Sequence, residues 1–89
     1  MYAVLVDVQI AQGKFEEAQK GLHDFVIPTS KGAPGFMKGT WFGDETSGHA
    51  LVLFDSEESA KGMASQVASG PEDPVQVQRV QVYPVHAEV

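Results

Sequence analysis

The chain predicts a single α+β domain of order β-α-β-β-α-β. Three observations carry this. Residues 2–10 alternate at the two-residue period of a strand. Two later stretches, from Lys14 and from Asp55, change to the period of a helix. The remaining runs are strand-like and are parted by clusters of glycine and other turn formers.

In the first strand Tyr2, Val4, Val6, Val8 and Ile10 share one face, with Ala3, Leu5, Asp7 and Gln9 on the other, and Gly13 ends the run. From Lys14 onward Phe15, Ala18, Leu22, Phe25 and Val26 recur at helical spacing. Glu16 and Glu17 fall in the first turn, where the helix dipole favours acids. Pro28 is expected to stop this helix, and TSKGAPG (29–35) reads as turn throughout. Gly21 inside the helix costs about 1 kcal/mol relative to alanine, so the helix needs its packed face.

Residues 36–42 make the next strand, with Met37, Gly39 and Trp41 on one face and Phe36, Lys38, Thr40 and Phe42 on the other. GDETSG (43–48) is a hairpin loop and HALVLF (49–54) the returning strand, with Leu51 and Leu53 opposed to Ala50, Val52 and Phe54. Asp55, with Glu58 three residues on, and Ser56 both suit the cap of the second helix. That helix carries a stripe of Ala60, Met63, Ala64, Val67 and Ala68 and is expected to end at Gly70-Pro71. Residues 75–86 form the last strand. Its apolar phase slips from Val75 and Val77 to Val80 and Val82, which either a bulge near Gln78-Arg79 or a strand that begins only there would explain.

The 89 residues form one domain, 1–89, which buries only roughly 60–65% of the surface its unfolded chain exposes. The absence of cysteine removes disulfides and thiolate metal sites and suits a reducing cytoplasm, the expected location. The opening residues have neither a basic leader region nor an apolar run of about 18 residues, so neither signal peptide nor membrane span is expected. Twelve acidic against six basic residues give a net charge of −6. The bases form no stripe, which excludes nucleic acid and anionic membranes as expected partners.

Strand, helix, hairpin, helix, strand is the ferredoxin-like arrangement, with both helices on one face of a four-stranded antiparallel sheet. The third strand is apolar on both faces, yet two helices cover only one. A second copy related by a two-fold axis is the simplest cover, so a homodimer through the sheet face is expected.

Gly35-Phe36 leading into a strand, Trp41, and LVLFDSEESA (51–60) resemble the dimeric α/β-barrel superfamily, and within it the antibiotic-biosynthesis-monooxygenase-like domains. The resemblance spans nearly the whole chain and implies a dimeric α/β barrel. Its members include cofactor-independent quinone-forming monooxygenases, heme-degrading enzymes and ligand binders. Heme-degrading members are expected to carry an asparagine in the first strand, a tryptophan just before the Ser-Glu that opens the second helix, and a histidine in that helix. Here the first strand has no asparagine, Phe54 stands at the tryptophan's place, and the second helix has no histidine. The resemblance therefore disfavours heme breakdown.

No phosphate-cradling glycine loop, nucleophile elbow or metal-ligand spacing is present, and no metal site is expected. His23, His49 and His86 lie on three different elements, with His49 placed to hydrogen-bond at the hairpin mouth and His86 in solvent. Asp7 would face the dimer interior and needs either Lys38 or Arg79 across the interface or a catalytic role. A ligand cavity is expected between helices and sheet, walled by Leu22, Phe25, Val26, Phe54 and Val6. His23 and Tyr83 would be its proton-exchanging groups. Trp41 lines this cavity or lies on the dimer face. Two functions fit. One is a cofactor-free monooxygenase for a small aromatic or polyketide-like substrate, whose own enolate or phenolate would activate oxygen. The other is a non-catalytic small-molecule-binding or stress-associated dimer. Neither requires a cofactor.

Overall fold

The first strand, β1 (Tyr2–Ile10), runs through the middle of the sheet and is paired along both edges. The computed structural model describes residues 1–89. After β1 come α1 (Phe15–Gly21), a π turn at Leu22–Val26, α2 (Ile27–Lys31), β2 (Phe36–Gly43), β3 (Ser47–Phe54), α3 (Glu57–Ala64) and β4 (Val75–Pro84). The four strands are antiparallel in the order β2-β3-β1-β4. This is the expected α+β, ferredoxin-like fold. No helix is long and apolar enough to cross a membrane.

The core lies on the side of the sheet that carries the helices. Val4 and Val6 of β1, Val52 and Phe54 of β3 and Ala60 of α3 form one buried cluster. Phe36 meets Phe54 edge to face, with ring centroids 6.4 Å apart. Alternation along β1 and β3 is as the sequence implies. On β4 the phase slip is a bulge and not a late start: Asp7 pairs with Arg79 and Val8 with Val77, which leaves Gln78 unopposed.

Four local expectations are corrected. Pro28 does not stop the first helix, which runs on to Lys31. In the π turn the Ile27 N–H donates to the Leu22 carbonyl, five residues back. Pro28 then enters at the first turn of α2, where its missing N–H costs little. Residues 29–31 are helical for the same reason. The wider turn also breaks the 3.6-residue stripe, so Phe25 is 70% exposed and Val26 is exposed as well.

The second helix ends at Ala64, short of Gly70-Pro71. Gly62 lowers helix propensity there, and the Ser65 hydroxyl donates to the Gly62 carbonyl at 2.8 Å. Val67 still packs on the core, from a loop. That loop is tied down by Ser69, whose hydroxyl oxygen accepts from the Val77 N–H at 3.0 Å. At the other end Ser56 is the cap, its hydroxyl oxygen accepting from the Ser59 N–H at 3.2 Å.

The last correction concerns β2. Phe36 pairs with Phe54 and Lys38 with Leu53, so Met37 is an inserted residue. The bulge brings Phe36, Gly39 and Trp41 to the helix side and leaves Lys38, Thr40 and Phe42 on the open face. Plain alternation had put Phe36 and Trp41 on opposite sides. In the hairpin Asp44 Oδ1 accepts from the Thr46 and Ser47 N–H groups, both at 2.9 Å. These bonds, backbone first and hydroxyl second, hold its carboxyl down to about 2.

Candidate functional site

The helix side of the sheet is sealed over only part of its area. α3 lays Ala60 on the core, with Met63 and Ala64 beside it. The first helical segment behaves differently. Its half-buried Phe15, Ala18, Leu22 and Ile27 do not pack on the core cluster, and Ser30 is its one buried residue. On the same side of the sheet Trp41, Ala50 and Val8 are half-buried beside the core. Trp41 lies flat along β2: a Cβ on Gly39 would come within 2.5 Å of its Cη2 atom, so the indole occupies space that only glycine leaves free. On the helix side, apolar side chains of both the first helical segment and the sheet are thus left only half-buried.

The expected site residues divide as follows. Leu22, Phe25 and Val26 stand on the first helical segment, and Trp41 on the sheet below it. Trp41 is thus on the helix side, which strand phase had left open. Val6 and Phe54 belong to the packed core; Phe54 has no accessible surface, so no space large enough for water touches it. His23 is exposed on the π turn. Tyr83 pairs with Ala3 on the face away from the helices, is 44% exposed, and donates its hydroxyl to Gln81 Oε1 at 3.0 Å. The structure does not bring His23 and Tyr83 together. Strand parity decides this: Val80 and Val82 pack inward, so Tyr83 must point outward.

The polar constellation lies instead on the open face. Asp7 of β1 stands in register with His49 of β3 and Arg79 of β4. His49 Nδ1 is 2.7 Å from Asp7 Oδ1, and Arg79 Nε donates to Asp7 Oδ2 at 2.9 Å. The hydrogen bond from His49 is the largest effect on the Asp7 carboxyl; burial, next in size, opposes it, and the charge of Arg79 adds to the lowering, so the carboxyl lies below its ordinary range. Arg79 was one of the two partners the sequence allowed, but it acts within the chain and not across an interface. His49 was missed as a partner: it stands opposite Phe42 at the base of the hairpin, but its hydrogen bond runs to Asp7 of β1 and not across the hairpin. Its signal was the register: in an antiparallel pair with Leu5 opposite Leu51, position 7 faces position 49. His86 is exposed, and no group of three or more histidine, aspartate or glutamate side chains could hold a metal ion.

Two open depressions mark the surface elsewhere. One, of about 340 Å³, lies on the open sheet face, where the tail from Pro84 to Glu88 runs past Lys38, Thr40 and Leu53. The other, of about 580 Å³, lies at the β1–α1 corner between Gln12, Phe15 and Glu45. None of the expected site residues borders either one.

No family model matches this sequence, and no curated protein matches it. The fold is similar to that of the heme degrader MhuD from Mycobacterium tuberculosis, solved with two hemes bound in its active site. The TM-score is 0.71 at 13% identity, over 100% of this chain and 99% of that one. A MhuD mutant with two manganese protoporphyrin IX molecules bound per active site gives the same score and identity, over 100% and 98%. At that identity the likeness is one of fold, and it is the fold that the resemblance to antibiotic-biosynthesis-monooxygenase-like domains implied.

Proposed function

We propose that this protein binds a small, flat, apolar or aromatic molecule in the cleft between its first helical segment and the sheet, and does so as a homodimer closed through the open sheet face. The observation that carries the reading is the unsealed apolar surface on the helix side. Phe25 is left in solvent, Leu22 and Trp41 are half-buried, and neither Leu22 nor Phe25 belongs to the core. Apolar side chains in a cleft with few polar groups suit a hydrophobic ligand. The fold shared with a protein that holds two planar tetrapyrroles supports a planar one. The heme itself is not carried over. α3 has no histidine to reach an iron, and His49 is committed to Asp7 on the opposite face.

Trp41 is the only tryptophan, so its emission reports the cleft directly. Titration with a hydroxylated anthraquinone should quench it. Phe25→Ala should weaken that binding roughly tenfold, the worth of one aromatic contact, while leaving the fold unchanged. Unquenched emission at millimolar probe would sink the reading.

A second reading, cofactor-free oxygenation of such a phenol, is favoured by the position of His23 on the π turn between Leu22 and Phe25. It is the one ionisable ring next to the cleft's wall and would take the phenol proton. Under this reading His23→Ala abolishes oxygen uptake yet spares probe binding. Tyr83 has no part in it.

A further inference from the structure

Apolar side chains frame the open sheet face, with Phe42 55% and Leu51 41% exposed. Its charged groups are Asp7, Arg79, Lys38 and Glu88, two of each sign. With His49 neutral this face carries no net charge, although the chain carries −6. All of the excess negative charge lies elsewhere, so this is the surface on which two like-charged copies meet with least repulsion.

At the centre of that face, Asp7 spends one oxygen on His49 and the other on Arg79. Phe42 of β2 lies against the His49 ring, with centroids 5.2 Å apart. The carboxylate keeps a proton on Nδ1, and Nε2 has no partner within the chain. One further proton, taken at Nε2, turns a neutral cluster into a cation. A two-fold axis makes that change twice in one interface. The other charged groups do not offset it. Lys38 on β2 is positive and makes no ion pair, and Glu88 lies beside Lys38 at the far end of the face. The hairpin acids Asp44 and Glu45 lie beyond the end of β2.

We propose that the open sheet face is a proton-sensitive interface between two copies of this chain, with the Asp7–His49–Arg79 cluster as its switch. The proposal rests on the dimer reading above. The second copy associates when His49 is neutral and is released when acid charges both clusters.

Sedimentation equilibrium of the full chain at constant ionic strength, at about pH 8 and about pH 5.5, brackets the range in which histidines change charge. The dimer dissociation constant should rise roughly tenfold or more on acidification, as expected for two like charges brought within about 10 Å of each other. His49→Gln should flatten the dependence, whereas His23→Gln and His86→Gln should keep it. A constant that is the same at both pH values overturns the switch but leaves the dimer standing. A monomer at pH 8 overturns the dimer and the switch with it. Persistence of the rise in His49→Gln also overturns the assignment. If that variant does not fold, Arg79→Gln still decides: with one positive charge fewer in each cluster the rise must shrink or reverse, and an unchanged rise overturns the proposal.

Discussion

Replacing Gly39 by alanine tests how Trp41 is seated. Gly39 does not have positive φ, so the backbone accepts the change, and only the indole resists it. The new Cβ would lie 2.5 Å from Cη2 and 2.7 Å from Cζ3. Carbon atoms pack at about 3.5–4.0 Å, so the ring must retreat by roughly 1 Å. Overpacking of this kind costs about 1–3 kcal/mol, while removing a glycine from a strand returns about 0.5–1 kcal/mol. Taken at the middle of these ranges the net loss is about 1–2 kcal/mol. In a domain of this size that lowers the thermal midpoint by roughly 5–15 °C. Circular dichroism reads the midpoint, and the single tryptophan reads the ring through a shift in its emission. In a Trp41→Leu background the same Gly39→Ala change should be neutral or stabilising. An unchanged midpoint together with unchanged emission in Gly39→Ala would show that the indole does not lie over Gly39, and the floor assigned to the cleft would go with it.

Two further outcomes follow from the caps and turns. Ser56→Ala should cost about 0.5–2 kcal/mol in urea unfolding and Asp55→Ala distinctly less, because only the serine oxygen accepts from the helix backbone; the reverse order would misplace the start of α3. Asp44 has a carboxyl lowered from 3.8 to about 2. A depressed carboxyl adds stability above its unfolded value, and that stability is lost as pH falls through the folded one. The midpoint difference between wild type and Asp44→Asn should therefore be largest above about pH 4 and vanish toward about pH 2. A difference independent of pH would mean that the carboxylate is not the acceptor in the hairpin.

Elements with strict alternation were legible in the sequence. β1 and β3 show their faces in residue parity, and the slip from Val77 to Val80 announces the bulge at Gln78. The errors arise where one residue is inserted without a mark in the apolar pattern. At Met37 the inserted residue is itself apolar, so the alternation through Gly39 and Trp41 looks unbroken while the strand has changed face. In the first helix the π turn does the same at Leu22–Val26, where a 3.6-residue stripe fits the letters but not the backbone. Pro28 looks like a stop in the sequence because a proline within an α-helix clashes with the turn before it, and the wider turn removes that conflict. The apolar bulk of Leu22, Phe25 and Trp41 is legible in the sequence, and these residues carry the proposed binding surface. The Asp7–His49 pair is not legible, because it joins positions 42 apart in sequence and only strand register brings them together.

The central place of β1 has a kinetic consequence. It is the first strand to be synthesised, yet its neighbours are β3 and β4, and its pairing with β4 brings Tyr2 against Pro84. Until both arrive, β1 carries two unpaired edges and an apolar face with nothing to pack on. The hairpin of β2 and β3 closes locally and quickly, but it cannot complete the sheet by itself. Loop closure across almost the whole chain must come before the contacts that reward it, which slows this domain relative to a helical bundle of its size. The interval before β4 docks is the time at which association with the wrong partner competes with folding.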